Sequence, residues 1–375
     1  MLLTATATVV RIAPIFQSDA PAPLVVIIPA RNEAADIGNT LRSWAVQRRP
    51  DGTPVDPASY ELILVANNCT DATVARSVTF GQAQPHLRLT VLDTVLPALR
   101  ANVGTARLLG SQFAQLHRPH PGGAFFYSDA DTCADPLLVH GLQQAFAAPG
   151  TAAVGAYLST GDATLGAYHA AFIRYEKQLA QHLATRCGQR ATHNYFSGAG
   201  MGITRAAYRD VGGIRPLSFN EDKQLRADLE SRDHTIVYAT DCVVHTSCRQ
   251  AGRVGWGMSK QLAYWTERER ANLPLLVPHP GLALTRLYLR RAVADLRTGS
   301  GRTWHAFARR WWLPQTAHRY LRSACHAAFL GEAVGRVWHC PNFVQQRSVR
   351  YPALPVKQAL QILGVDSAQQ TQQVA

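Results

Sequence analysis

Two almost wholly apolar runs, Leu24–Ile28 (LVVII) and Glu61–Val65 (ELILV), constrain the fold more than any other feature. Neither alternates apolar with polar residues, so each must be covered on both faces. That is the environment of a central strand in a parallel sheet with helices on either side. Between them, Ala34–Val46 places Ile37, Leu41, Trp44 and Ala45 at helical spacing. The pattern then recurs. A helix is expected through Val74 and Val78, a strand over Leu87–Leu92, and a helix over Asn102–His117 with Leu108, Leu109, Phe113 and Leu116 on one face. A short aromatic strand follows at 124–128. This alternation predicts an α/β fold: an open, Rossmann-like, mostly parallel sheet flanked by helices, with a ligand in the crevice above the carboxyl ends of the strands.

Those carboxyl ends are polar. The stretch Ala124–Asp131 reads AFFYSDAD. On an extended backbone, Asp129 and Asp131 point to the same side. Two adjacent carboxylates repel, and a divalent cation shared with substrate phosphates would relieve them. A solvated turn is the other reading of the same residues. The turn after the first strand, ARNEAADIG, has no Gly-x-Gly-x-x-Gly, and no phosphate-binding Gly-x-x-x-x-Gly-Lys-Ser/Thr occurs. A dinucleotide enzyme and a P-loop ATPase are both disfavoured.

Further along, Ala152–Tyr157 reads as a strand and Ala163–Leu183 as a helix. Phe196–Ile203 (FSGAGMGI) is glycine-rich, which permits close backbone approach to a sugar or a plain turn into a strand. Tyr208–Gly213 (YRDVGG) precedes the acidic pair Glu221-Asp222 and a helix over Lys223–Ser231. Thr235–Tyr238 and Cys242–Val244 are short strand candidates. Residues 1–23 form a proline-bearing lead-in. They lack the basic start, long apolar core and small-residue cleavage site of a secretory leader. The seven cysteines show no regular framework, which suits reduced thiols and a cytoplasmic location.

Several landmarks fall in one order: VVIIPARNE (25–33), LVANNCTDAT (64–73), SDAD (128–131), SGAGMGI, YRDVGG, Glu221-Asp222 and VHTSCRQAGR (244–253). Together they resemble the nucleotide-sugar glycosyltransferases of the GT-A fold, specifically glycosyltransferase family two, over residues 24–265. The resemblance implies a metal-dependent, inverting transfer of sugar from a UDP- or GDP-linked donor to an acceptor hydroxyl, lipid-linked or on a small molecule. Mn2+ or Mg2+ is the implied cofactor. A retaining transferase is the nearest rival. A sugar nucleotidyltransferase is less favoured, because a glycine-rich signature with a lysine should then follow the first strand.

The same resemblance places Pro29, Ala30, Arg31 and Glu33 near the base and ribose. The second strand of such enzymes usually ends in two aspartates, and here Ala66 and Asn67 stand in their place. Asn67 keeps a carbonyl acceptor but adds two donors, so the base stays open. Arg107 matches an arginine facing the nucleotide or diphosphate; a solvated helix face is the other reading of it. Asp131 is the implied metal ligand, with Asp129 and Ala130 nearer the ribose and Asp129 a second ligand. Asp222 is the candidate base, with Glu221 as its neighbour or as acceptor orienter. Both acids also suit the first turn of a helix. His245 is a candidate third metal ligand, or a packed strand residue. Arg249 and Arg253 are candidates for the diphosphate, since that stretch has little acid of its own, with pairing to acidic surface residues as the other reading. Asn68 and Asp71 read as turn and cap formers.

Charge is uneven along the chain. Residues 1–255 hold 22 Lys/Arg and 20 Asp/Glu, whereas residues 256–375 hold 16 and 5, with six of the seven Trp. The segment 266–375 is thus expected to be a mainly helical basic extension. Leu282–Leu296 and Trp304–Leu330 are its basic helical stretches, suited to peripheral contact with an inner membrane surface or to packing on the body. No aromatic-interleaved basic module is present, so nucleic acid is not an expected partner.

Overall fold

The computed structural model describes residues 8–14, 20–160, 166–186, 193–249, 257–297, 306 and 329–364. The chain divides into two compact units. The first comprises residues 1–162, 195–227 and 234–261, and the second 163–194, 228–233 and 262–375.

The first unit is built on a nine-stranded sheet. In chain order its strands are β1 (Thr8–Pro14), β2 (Leu24–Ala30), β3 (Tyr60–Asn67), β4 (Leu89–Val95), β5 (Ala124–Tyr127), β6 (Thr132–Ala134), β7 (Thr151–Ser159), β8 (Met201–Thr204) and β9 (Thr235–Thr246). Their order across the sheet is β1-β4-β3-β2-β5-β8-β7-β9-β6. The block β4-β3-β2-β5 is parallel throughout, and β7 runs parallel to β9. As the unbroken apolar runs require, every residue of β2 and β3 is buried. The exception in character is Glu61, which is buried but meets Arg118 Nε at 3.0 Å.

Helices α1 (Ile37–Ala45), α2 (Thr73–Ala83), α3 (Val103–His117) and α4 (Leu138–Ala147) connect the strands. The apolar faces of α1 and α4, with Ile37, Leu41, Trp44, Leu138 and Leu142, join Val26, Ile28, Leu62, Leu64 and Phe126 in one core. Asn102 caps α3 by accepting the Thr105 N–H at 2.9 Å, which fixes where that helix begins.

Register decides where the site lies. Ala30 of β2 is level with Ala66 of β3, which is level with Asp93 of β4. Ile27 is level with Tyr127, the last residue of β5. Pro29, Ala30, Asn67 and Asp129 therefore emerge at the same edge of the sheet, the edge where ligands meet an α/β fold.

Three strands of the sheet depart from the sequence expectations: β1, the short β6 and β9. β1 pairs antiparallel with β4 at the sheet margin, within what reads as a lead-in. The two short candidates at 235–238 and 242–244 are one strand, β9, whose pairing with β7 shifts register between Ala156 and Tyr157. Such a bulge exposes Thr240 and Asp241 and makes the run look interrupted.

Helices α6 (Arg205–Asp210) and α7 (Glu221–Ser231) follow β8, and α8 (Met258–Arg270) follows β9. In the second unit, α5 (Ala167–Arg186), α9 (Pro280–Arg297), α10 (Leu330–Trp338), α11 (Pro341–Arg350) and α12 (Val356–Ile362) accompany a two-stranded pair of Leu276–Val277 with Leu354–Pro355. Leu289, Ala292, Val293, Val334, Val337 and Phe343 form its core. Two arginines of α9 are paired within the unit, Arg286 with Glu230 and Arg290 with Asp233, each at 2.7 Å. The stretch expected at Trp304–Leu330 lies almost wholly outside the described residues. Among the described residues, no helix is long and apolar enough to cross a membrane.

Candidate active site

Arg107 is the hinge of the site. It lies on α3, and its side chain is 2% exposed. Nη2 donates to Asp129 Oδ1 at 2.5 Å, and Nη1 donates to Glu221 Oε1. Glu221 opens helix α7 (Glu221–Ser231) and is itself buried. Desolvation works against the charge of Arg107, but Glu221 and Asp129 outweigh it and hold its pKa above the ordinary value. Gly198, in the glycine-rich stretch, exists because of this arrangement. A Cβ there would run into the Arg107 guanidinium, and the Gly198 N–H donates to Asp222 Oδ2 at 3.2 Å. Asp222 Oδ1 accepts the Lys223 N–H at 2.7 Å. Both carboxylate oxygens of Asp222 are thus oriented by backbone. One buried guanidinium thereby brings together the end of β5, the glycine-rich stretch and the start of α7.

The loop before α7 is held from the other side. Asn220 adopts φ 58°, a turn that asparagine tolerates. Leu217 O accepts the Gly104 N–H at 3.1 Å, and a Cβ on Gly104 would strike the Leu217 backbone. An open pocket of about 400 Å3 lies here, lined by Leu217, Ser218, Phe219, Asn220, Lys223 and Gln224.

A second cluster surrounds Asp131. Its Oδ2 accepts from Ser247 Oγ at 3.1 Å and lies 3.1 Å from Arg249 Nη2. Arg249 also grips Glu33 with both Nη atoms at 2.8 Å, and its Nη1 reaches Asp36 Oδ2 at 3.4 Å. Burial and the neighbouring Asp129 push the Asp131 carboxyl up to about 6. Asp129 is raised as well, by desolvation and by Glu221, Asp222 and Glu33, against the pull of Arg107. The crevice holds more negative charge than its two arginines neutralise.

The first turn is tightly laced. Asn32 adopts φ 55° and accepts the Thr70 N–H at 2.8 Å. Glu33 N–H donates to Thr73 Oγ1 at 2.8 Å. Asp71 accepts from Ala34 N–H and Thr73 N–H, each at 3.0 Å, and Asn68 exchanges hydrogen bonds with Leu96. Both behave as the turn formers their residue types suggest. Pro29 and Ala30 are buried at the strand end, and Ala130 O accepts from Thr40 Oγ1 at 2.8 Å. Arg31 is exposed and donates to Ala101 O at 3.1 Å. Asn67 Nδ2 donates to Asn102 O at 3.3 Å, while its Oδ1 is buried without a partner.

Three expectations meet a different placement. His245 is 45% exposed and lies 3.6 Å from Asp135, while Ser247, two residues on, is the side chain that meets Asp131. Arg249, expected to want an anion because acid is scarce nearby in sequence, finds Glu33 and Asp36 from the opposite end of the chain. Arg107, expected on a nucleotide-facing or a solvated helix face, is buried and engaged by Asp129 and Glu221. Arg253 lies outside the described residues, and no group of three or more potential ligands of the His, Cys, Asp or Glu type is present among those described.

The profile of the family Glycosyltransferase like family 2 matches residues 21–267. The chain belongs to that family and is a nucleotide-sugar glycosyltransferase with a GT-A-type sheet. No curated protein matches it. Among solved structures it is similar to the mannosyltransferase PcManGT from Pyrobaculum calidifontis in complex with GDP-Man and Mn2+, at 16% identity and TM-score 0.45, over 94% of this chain and 90% of that one. It is also similar to S. aureus TarS 1-349 in complex with UDP, at 13% identity and TM-score 0.42, over 87% and 91%. A third is glucosyl-3-phosphoglycerate synthase from Mycobacterium tuberculosis with Mn2+, UDP-Glc and phosphoglyceric acid, at 19% identity and TM-score 0.41, over 68% and 81%. The assignment rests on the family match.

Proposed function

We propose that the chain moves a sugar from a nucleoside-diphosphate donor to an acceptor hydroxyl with inversion, assisted by a divalent cation. The observation that carries this reading is the Arg107 bridge between Asp129 and Glu221. It sets the strand-end acids and the helix-start acids over one crevice. Such a reaction needs both: negative charge must be neutralised where the diphosphate leaves, and a proton must be taken where the acceptor attacks.

The residues present fit a hard cation. Mg2+ and Mn2+ are satisfied by one or two carboxylates together with phosphate oxygens and water. Asp131 would hold the ion with Asp129 beside it, and their raised carboxyl pKa values mark the charge surplus that a cation relieves. When bound, the ion would neutralise the charge growing on the departing diphosphate. Asp222 takes the acceptor's hydroxyl proton as the oxygen attacks the anomeric carbon. Its two backbone hydrogen bonds keep it aimed without a side-chain partner. A single base opposite the leaving group gives inversion, as position sets outcome in glycoside hydrolysis. Arg107 positions these acids rather than touching the diphosphate. The pocket at Leu217–Gln224 adjoins Asp222 in the chain and supports acceptor entry from that side. Asn67 presents no accessible carbonyl oxygen, so UDP and GDP remain equal candidates.

A thermal-shift panel of nucleoside diphosphates with and without Mn2+ tests the reading. One base should give a metal-dependent rise in Tm that Asp131→Ala abolishes. Product analysis by NMR should show the inverted anomer. No metal-dependent shift with any base, or a retained anomer, overturns the corresponding part.

A further inference from the structure

We infer that Arg249 is a resident counter-ion of the acidic crevice, which competes with a divalent cation for Asp131 until a diphosphate draws it away. The inference rests on the metal and donor reading proposed above. In this structure three carboxylates, Glu33, Asp36 and Asp131, converge on one guanidinium. The fork on Glu33 is the anchor, with two contacts of 2.8 Å. The contact to Asp131 is looser than that fork, at 3.1 Å from an Nη2 already engaged with Glu33, and the contact to Asp36 is longer still at 3.4 Å. Asp131 Oδ2 also accepts from Ser247 Oγ, so that oxygen is covered from two directions.

A cation arriving at Asp131 meets the positive charge of Arg249 at close range. The two repel, and the guanidinium has to leave Oδ2. It can do so without being stranded. Its side chain is 31% exposed, and withdrawal from Asp131 leaves the fork on Glu33 intact. The freed N–H then has a matching acceptor in a diphosphate oxygen. Cation and nucleotide should accordingly help each other bind, and by linkage each raises the affinity of the other by the same factor. Metal alone is held back by the arginine it must displace.

The test is direct Mn2+ binding to the full chain, read from the free-ion EPR signal, without nucleotide and then with saturating UDP or GDP. Without nucleotide, Arg249→Met should bind Mn2+ about five- to tenfold more tightly than wild type, the scale of one lost competing charge. The gain in Mn2+ affinity that nucleotide brings should shrink by a similar factor. Arg249→Lys keeps a charge but loses the fork, and should tighten Mn2+ by about two- to threefold. It carries the test if Arg249→Met does not fold. Unchanged or weaker Mn2+ binding in these variants overturns the inference while leaving the metal site standing, provided that Asp131→Asn still weakens binding in the wild-type background. If wild type binds no Mn2+ that Asp131→Asn removes, the metal assignment falls and this inference falls with it.

Discussion

Replacing Arg107 with Met removes the side chain that links one acid of each pair, Asp129 and Glu221. Arg107 and Glu221 are 2% and 6% exposed, so water cannot compensate the carboxylate left behind. Breaking a buried pair by deleting one partner costs about 3–5 kcal/mol, because the other charge is stranded. Asp129 is 37% exposed, so its share is screened and adds at most about 1 kcal/mol. Met fills most of the space of the arginine stem, so a cavity contributes little. A loss of about 3–5 kcal/mol is a large part of the roughly 5–15 kcal/mol that holds a typical domain together. Urea unfolding of wild type, Arg107→Met, Glu221→Gln and the double variant measures it. Glu221→Gln in the Arg107→Met background removes the stranded charge, so the double variant should recover about 1.5–3 kcal/mol over Arg107→Met alone. If Arg107→Met lies within about 1 kcal/mol of wild type, or the cycle shows no coupling, the bridge does not organise the site.

Three further outcomes follow from the geometry. The Asp131 carboxyl rises from 3.8 to about 6 on folding, so between those values the folded chain holds a proton that the unfolded chain has released, and stability falls as pH rises through the window. Metal-free Asp131→Asn should therefore gain more Tm over wild type at pH 7.5 than at pH 5, by calorimetry; equal gains would contradict the shift. Gly198→Ala pushes a methyl into a guanidinium that two acids hold in place, and should cost about 1–3 kcal/mol of unfolding free energy; a wild-type Tm would show that Arg107 is free to move. His245→Ala should leave Mn2+ affinity within about twofold, since a rim contact to Asp135 is worth little. A tenfold loss would return His245 to the ligand set.

Much of the fold can be read from short stretches. LVVII and ELILV are buried parallel strands because no polar residue interrupts them beyond the paired Glu61 at the start of the second, and Asn68 and Asp71 do what their local chemistry dictates. What escapes a linear reading is decided by distant partners. β1 is a strand because β4 offers it an edge, and β9 is continuous because a bulge absorbs its exposed middle. Glu221 reads as a companion to Asp222, yet it is the buried partner of an arginine 114 residues away. Arg249 looks short of acid until Glu33, 216 residues earlier, folds onto it. Residue types announced which groups would carry charge. Only the tertiary pairing shows which of them neutralise one another and which are left for a ligand.

Anomalous scattering at the manganese edge, from crystals grown with Mn2+ and the nucleoside diphosphate that thermal shift selects, asks most directly whether the two acidic pairs serve one substrate. The expected map has its peak against Asp131, with diphosphate oxygens beside it and Asp222 facing the same cleft. A peak remote from Asp131, or a nucleotide seated on a face that Asp222 does not border, would separate the two pairs and remove the proposed division of labour.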